Sequence, residues 1–263
     1  MTSNFHTHTW RCNHAKPDER AYVLAAHESG ITTLGFADHV PYPFNNGHNS
    51  WFRLRLDQTA DYVDTIMALR EEFRGTVDIH IGFEAEYYPA HFADLLTFLE
   101  PFDYEYLILG QHFLYNEADA PYVAHAFTDE KILYDYVEQC TRAMHTGAFS
   151  YLAHPDLPLY EGDEKIYRAA IRRLCREAKG CGLPLEVNLL GISSGRHYPR
   201  ETFWEEAAVV GNDVVLGWDA HDPQSFLNIE IEQRAMALVA RLGLHLTDKV
   251  TLIRPHPDMA MKF

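Results

Sequence analysis

Short runs of β-branched and aromatic residues alternate along this chain with longer stretches whose apolar positions recur every three or four residues. That alternation marks an α/β fold with parallel strands, because joining two parallel strands takes a crossover long enough to hold a helix. The pattern predicts strands over residues 4–8, 32–36, 77–83, 106–109, 150–153, 185–188 and 214–217, and a terminal one near 250–253. Helices are expected over 18–29, 57–73, 91–99, 128–146, 163–179, 200–210 and 230–242. The punctuation agrees. Pro17 precedes the first helix and Gly30 closes it, Gly75 ends the second, Gly180 or Gly182 ends the fifth, and Thr128 reads as the N-cap of the fourth. Residues 40–53 form a long loop rich in Pro, Asn, Gly and aromatics, which reads as a lid or substrate wall. No internal repeat, low-complexity segment or linker marks a boundary, so residues 1–263 read as one domain.

Residues able to bind metal collect where the predicted strands end. Six of the seven strands before the terminal one contain or run into His6/His8, His39, Glu84, His112, His154 or Asp219/His221. His6 and His8 are two apart, so a strand at 4–8 turns both to one side; His14 follows six residues later, and Asp219 and His221 repeat the spacing of two. In a barrel of parallel strands these C-terminal ends converge on one face, where catalytic groups gather. Any one of these histidines reads more readily as a capping or core imidazole than as a ligand, and the opening three also as a solvated run; the whole set points to metal. His27, His91, His125, His145, His197, His245 and His256 read as surface histidines. Imidazole with carboxylate suits zinc, iron and manganese alike. A carboxylate can bridge two ions, so few acids among many histidines suggest two or three closely spaced divalent ions.

Glu84 reads as the ligand and Glu86 as a supporting or solvated acid, while Asp222 before Pro223 reads as a helix N-cap. Cys12 is soft enough for zinc but reads as a small buried thiol. Trp10, Tyr42, Phe44, Trp51 and Phe52 either wall a pocket or bury their loop.

At 47% hydrophobic and 23% charged residues the composition is that of a soluble globular protein. No stretch approaches the roughly 18 apolar residues of a membrane helix, and the N-terminus lacks a basic-then-apolar leader pattern. Cys12, Cys140, Cys175 and Cys181 form no CxxC pair, so free thiols and a cytoplasmic location are expected. A formal net charge of −16 argues against nucleic acid as a stable partner and against anionic membranes. A phosphate monoester remains a suitable partner provided the site is locally positive, which metal ions achieve.

Taken in order, His6-Thr7-His8-Thr9 with His14, Ala37-Asp38-His39, Gly82-Phe83-Glu84, Gln111-His112, Ala153-His154-Pro155-Asp156 and Asp219-Ala220-His221 resemble the PHP (polymerase and histidinol phosphatase) superfamily, in its histidinol-phosphatase branch. The resemblance spans nearly the whole chain. It implies a distorted (β/α)7 barrel with a trinuclear metal centre at the C-terminal ends of the strands. By the same resemblance His6, His8, Glu84 and Asp219 hold one ion, Glu84 with His112 and His154 a second, and His14, His39 and His221 a third. It further implies hydrolysis of a small phosphate monoester, L-histidinol phosphate in histidine biosynthesis, with Glu84, Asp219 and His221 catalytic. Arg196, in the loop 188–199, then meets the substrate phosphate. His221, Asp156 or a water would serve the leaving alkoxide. One departure stands out: where relatives carry basic residues after the His-Pro-Asp motif, this chain has Leu157-Pro158-Leu159-Tyr160-Glu161-Gly162, leaving Lys165 or Arg168 to substitute. A nucleotide, a sugar phosphate or a short oligonucleotide is the alternative substrate.

Overall fold

The computed structural model describes residues 1–48 and 50–261. Strands β1 (Ser3–Asn4), β2 (Thr33–His39), β3 (Asp78–Ala85) and β4 (Tyr106–Leu109) form one parallel sheet in that order. A second parallel sheet orders β5 (Leu185–Asn188), β6 (Asp213–Gly217) and β7 (His245–Leu246). The helices are α1 (Glu19–Glu28), α2 (Thr59–Glu72), α3 (Phe92–Leu99), α4 (Glu130–Thr146), α5 (Glu164–Gly180), α6 (Leu189–Ser193), α7 (Glu201–Val210) and α8 (Ile229–Leu242). Their spacing explains their burial. On α5, Tyr167, Ala170, Ile171, Leu174, Cys175 and Ala178 recur at three and four residues and make one buried stripe.

The sheets meet at two seams. Leu152 bridges both Leu109 and Leu185 in parallel, and Thr7 bridges Ala220. At the second seam the His8 N–H donates to Ala220 O at 3.0 Å and the Ala220 N–H to His6 O at 3.1 Å. The result is an α/β fold with curled parallel sheets, consistent with a distorted barrel. Side chains alternate along the strands as the pleat requires. Phe5, Ala37, Tyr106, Ile108, Tyr151, Ala153 and Val215 fill the interior, while Leu107, Leu109, Leu152 and Val187 join the larger core under the helices. The Tyr106 hydroxyl donates to Phe5 O at 2.9 Å within that interior.

Four local expectations are corrected. The strand expected at 4–8 is laddered only at Ser3–Asn4, because the Asn4 side-chain amide donates to the backbone His6 O (3.2 Å), besides Thr7 Oγ1 (2.8 Å), and competes with pairing. The strand at 150–153 reduces to the bridge at Leu152, since its neighbour Pro184 offers a carbonyl but no N–H. Residues 250–253 form no strand. Val250 and Leu252 alternate because they cover the interior cluster, and the last strand is His245–Leu246 instead. The N-cap of α4 is Asp129, accepting from Lys131 N at 2.8 Å, rather than Thr128. Asp222 caps the turn at Pro223 as expected, accepting from Gln224 N at 3.0 Å. Among the described residues no helix is long and apolar enough to cross a membrane.

Candidate metal centre

The register of the sheet sets up the site. β2 and β3 pair so that His39 stands opposite Glu84, which brings His39 Nδ1 to 2.9 Å from Glu84 Oε2. Glu84 is the hub. Its Oε1 lies 2.7 Å from His154 Nε2 and 3.5 Å from His112 Nε2, and its Oε2 lies 3.6 Å from both His6 Nε2 and His8 Nε2. Asp219 Oδ1 faces His8 Nε2 at 3.1 Å, His6 Nε2 at 3.6 Å and His221 Nδ1 at 3.4 Å. His221 Nε2 and His14 Nε2 approach to 2.9 Å. The seven histidines and two carboxylates picked out from the sequence thus come together. The donor atoms of eight of them fall into sets lying within 4.8 Å of one another, His6–His8–Asp219, His6–Glu84–His154, His8–His39–Glu84 and His14–His39–His221, while His112 meets the cluster through Glu84 Oε1.

This packing needs room. A Cβ on Gly110 would lie 1.9 Å from Glu84 Oε1, so only glycine fits beside the hub. His154 (φ 28°) and Asp219 (φ 49°) hold left-handed backbone, which costs non-glycine residues of order 1 kcal/mol each and recurs at functional sites.

Buried polar atoms without a hydrogen-bonding partner test whether the set suits an ion. His6 Nε2, His8 Nε2, His39 Nδ1 and Glu84 Oε2 are such atoms, and all converge on the same space. Leaving them unpaired costs roughly 1–3 kcal/mol each, which a cation among them would relieve. The donor set therefore fits divalent metal.

The far ring nitrogens are held from behind. Glu186 Oε1 takes His6 Nδ1 at 2.8 Å, Glu86 Oε1 takes His112 Nδ1 at 2.8 Å, and Asp38 Oδ1 lies 3.4 Å from His8 Nδ1. Backbone carbonyls of Cys12 and Asp219 do the same for His14 (2.7 Å) and His221 (2.9 Å). Such partners fix the tautomer and aim the inner nitrogen at the ion. Charge follows geometry. Burial works against a proton on His8, but the Asp219 and Asp38 carboxylates outweigh it and lift the ring to about 9. Burial works against ionised Glu84 too, yet His112, His39 and His6 hold it well below the usual carboxylate range. For His221, burial followed by repulsion from His8 lowers the ring to about 3.

Above the cluster opens a cavity of about 560 Å³. Trp51, Phe52, Phe113, Tyr122 and Tyr198 wall it, and Arg196 is the one arginine or lysine lining it among the described residues. Arg196 Nη1 donates to the Tyr198 hydroxyl at 2.7 Å. The candidate aromatics divide. Trp51 and Phe52 face the cavity, Tyr42 and Phe44 pack against Tyr88, and Trp10 lies under the Arg11 guanidinium at 4.9 Å. Arg168 is tied to Glu205 and Glu206, and neither it nor Lys165 lines the cavity, so neither replaces the missing basic contact. Asp156 does not line it either. Burial pushes its carboxyl up to about 6, and its Oδ2 accepts from Arg200 N (2.6 Å) and Trp204 Nε1 (2.8 Å) at the start of α7. Cys12 is buried, with His8 and His221 within 4.8 Å.

Sequence reasoning missed Asp38, Glu186 and the place of His125 at the cavity. Glu186 carried a signal, a carboxylate in the otherwise apolar run 185–187 of a buried strand. Asp38 sits beside His39 in the quoted motif and went unassigned. His125 is exposed, as a surface histidine should be, and also lines the cavity beside Tyr122, at 5.0 Å between rings.

The pattern of the PHP domain matches residues 4–189. A Deinococcus radiodurans protein described as a probable histidinol-phosphatase is 33% identical over 227 residues, covering 83% of this chain and 85% of that one. The histidinol-phosphatase of Bacillus subtilis is 30% identical over 143 residues, 51% of this chain and 52% of that one. In fold, the chain is similar to the crystal structure of histidinol phosphate phosphatase from Lactococcus lactis, complexed with zinc, L-histidinol and phosphate. The TM-score is 0.72 at 18% identity, over 95% of this chain and 97% of that one. The chain belongs to the PHP family, in its histidinol-phosphatase branch.

Proposed function

We propose that this protein is a metal-dependent phosphomonoesterase that hydrolyses L-histidinol phosphate to L-histidinol and phosphate. The observation that carries the reading is the complete nine-residue donor set beneath a cavity with a single arginine, in a chain 33% identical to a probable histidinol-phosphatase. We read the seven parallel stations, β1 to β4, Leu152, β5 and β6, as a distorted (β/α)7 barrel forming one domain over residues 1–263. We assign three divalent ions to these donors: one to His6, His8, Glu84 and Asp219, one to Glu84, His112 and His154, and one to His14, His39 and His221; the His14–His39–His221 cluster and the approach of His112 and His154 to Glu84 Oε1 support the assignment. Zinc is the first choice, because the Lactococcus lactis relative was solved with it; manganese and iron suit the same donors. Free cysteines, three of them buried, fit a reducing cytoplasm.

When bound, the ions supply positive charge for a dianionic phosphate and lower the pKa of water. The chain's own residues do the rest. Glu84 and Asp219 are the only carboxylates lining the cavity among the described residues, so little negative charge faces the incoming phosphate. Arg196 keeps most of its guanidinium fork free for phosphate oxygens while Tyr198 holds one nitrogen. Trp51, Phe52, Phe113 and Tyr122 surround the organic half and exclude water. Asp156 is engaged elsewhere, and burial with repulsion from His8 keeps a proton off His221, which leaves solvent to supply the leaving alkoxide's proton.

The reading is tested by phosphate release from purified, metal-loaded protein across a substrate panel. L-Histidinol phosphate is expected to turn over at least tenfold faster than an aryl phosphate, a nucleotide or a sugar phosphate, and His8→Ala or Glu84→Ala to abolish turnover. Equal rates across the panel would remove the substrate, and full activity in either variant would remove the site.

A further inference from the structure

The loop that walls the cavity ends in an arginine which the reaction does not use and which is more deeply buried than any other arginine or lysine among the described residues. Arg53 is 2% exposed. Its Nη2 lies 2.7 Å from Glu86 Oε2, its Nε donates to Glu117 Oε2 at 2.6 Å, and its Nη1 donates to Val40 O at 3.3 Å. Its guanidinium also covers the Phe52 ring, 4.6 Å from the centroid. Burying a guanidinium with two carboxylates gains little stability over apolar side chains of the same volume. Its value lies in what it holds in place.

Each carboxylate leads to a different part of the site. Glu86 uses its other oxygen to hold His112 Nδ1 at 2.8 Å, which aims His112 Nε2 towards Glu84. Glu117 lies in the turn between Phe113 and Tyr122, which bridge each other in antiparallel fashion and both line the cavity. Phe113 in turn stacks on Phe52, the neighbour of Arg53, with ring centroids 5.8 Å apart. Two loops from different parts of the chain, 40–53 and 113–122, are therefore pinned to one guanidinium. That guanidinium also fixes the carboxylate behind a candidate metal ligand.

We propose that Arg53 is a positioning residue that couples the aromatic wall of the cavity to the metal ligand His112, through Glu117 on one arm and Glu86 on the other. Lysine, a point charge, cannot span both carboxylates as the planar fork does. The inference rests on the metal-centre reading above.

The test is a chelator challenge on the full-length, metal-loaded protein, with KM and kcat measured alongside. Arg53→Lys is expected to shorten the half-time of metal loss about tenfold, within the range that partners behind a metal ligand have on affinity. It is also expected to raise KM for L-histidinol phosphate more than it lowers kcat. Glu86→Gln breaks the ligand arm and should speed metal loss, whereas Glu117→Gln breaks the wall arm and should raise KM at wild-type metal retention. A merely structural role would lower the melting temperature of all three without dividing the two readouts in this way. Should Arg53→Lys fail to fold, the two single-arm variants carry the test. Wild-type metal loss together with wild-type KM in Arg53→Lys, or no division between the single-arm variants, overturns the coupling. A wild-type protein that retains no divalent metal overturns the metal-centre reading itself, and the coupling with it.

Discussion

Gly110 offers a way to perturb the centre without altering any residue that touches metal or substrate. A Cβ built there would stand 1.9 Å from Glu84 Oε1 and 2.5 Å from Glu84 Cδ. Ordinary contact begins at 3.4 Å, so Gly110→Ala forces the Glu84 carboxylate to move by about 1.5 Å. It cannot move freely, because His154 Nε2 holds its Oε1 at 2.7 Å and the His39 ring stands against its Oε2, with Nδ1 2.9 Å away. Metal sites tolerate distance errors of only about 0.2 Å, and a misplacement of about 1 Å near the chemistry is enough to lose a factor of about 100. The expected result is a fall in kcat/KM of about 100-fold or more, equivalent to about 3 kcal/mol of transition-state stabilisation. Metal content should fall too, and overpacking should remove about 1–3 kcal/mol of stability. The backbone at Gly110 is not left-handed, so alanine is not strained there by its conformation. Gly180→Ala is the control: nothing lies within 4 Å of a Cβ there, and the change is expected to be neutral or slightly stabilising. Phosphate release and elemental analysis on both variants decide the matter. Gly110→Ala with activity within threefold of wild type and a full metal complement would refute the crowding argument and the central place given to Glu84.

Two further outcomes are expected. Trp51 is 74% exposed at the cavity mouth, so Trp51→Ala should raise KM for L-histidinol phosphate about three- to tenfold, as an aromatic contact of about 0.5–1.5 kcal/mol implies, with kcat little changed; unchanged KM would remove it from the substrate wall. Glu206 joins α7 to α5 through Arg172 (2.6 Å) and Arg168 (3.1 Å), and although burial opposes its ionisation, the two arginines hold its carboxyl below the usual range. A depressed carboxylate stabilises the fold above its unfolded pKa and loses that contribution as pH falls through the folded value. Glu206→Gln should therefore lower stability by about 1 kcal/mol at pH 7 and by progressively less below about pH 4, read from urea midpoints; an equal loss at both pH values would contradict the ion pair.

The parts of the fold most legible in the sequence are those set by local periodicity. Tyr106–Leu109 and Leu185–Asn188 are strands at the residues their apolar runs mark, and α5 ends within a residue of the expected limit. What failed depended on partners far along the chain. Whether residues 6–8 or 150–153 form ladders depends on the Asn4 side chain, which takes His6 O, and on Pro184 as a neighbour, and neither shows in a periodicity. The nine donors were legible because their chemistry is rare at strand ends. Their supports were less so: Glu86 reads from the sequence as either a supporting or a solvated acid, and Asp38 and Arg53 resemble ordinary surface charges until the fold buries them. The place of His125 at the cavity was illegible for a related reason, since this exposed residue lies in a loop outside any strand end, and only the folded chain brings it there.

Those supports also explain how a chain with a formal charge of −16 can receive an anion. Negative charge near the centre is committed to histidines and an arginine rather than exposed to the cavity. Glu186 is fully buried, bound to His6 Nδ1 at 2.8 Å and accepting from the His154 N–H at 3.0 Å; Asp38 accepts from the His39 N–H at 2.9 Å; Glu86 lies between His112 and Arg53. Gly217 leaves the space for Glu186, where a Cβ would come within 1.8 Å of its Oε1. The two carboxylates that do face the cavity, Glu84 and Asp219, are those proposed to hold the ions, and Arg196 adds the one guanidinium. Field lines from exposed acids on the helices are screened within about 10 Å at moderate salt, whereas the buried centre acts at contact. The local sign of the site is therefore set by these few buried groups and the ions they fit, and the net charge of the chain has little part in it.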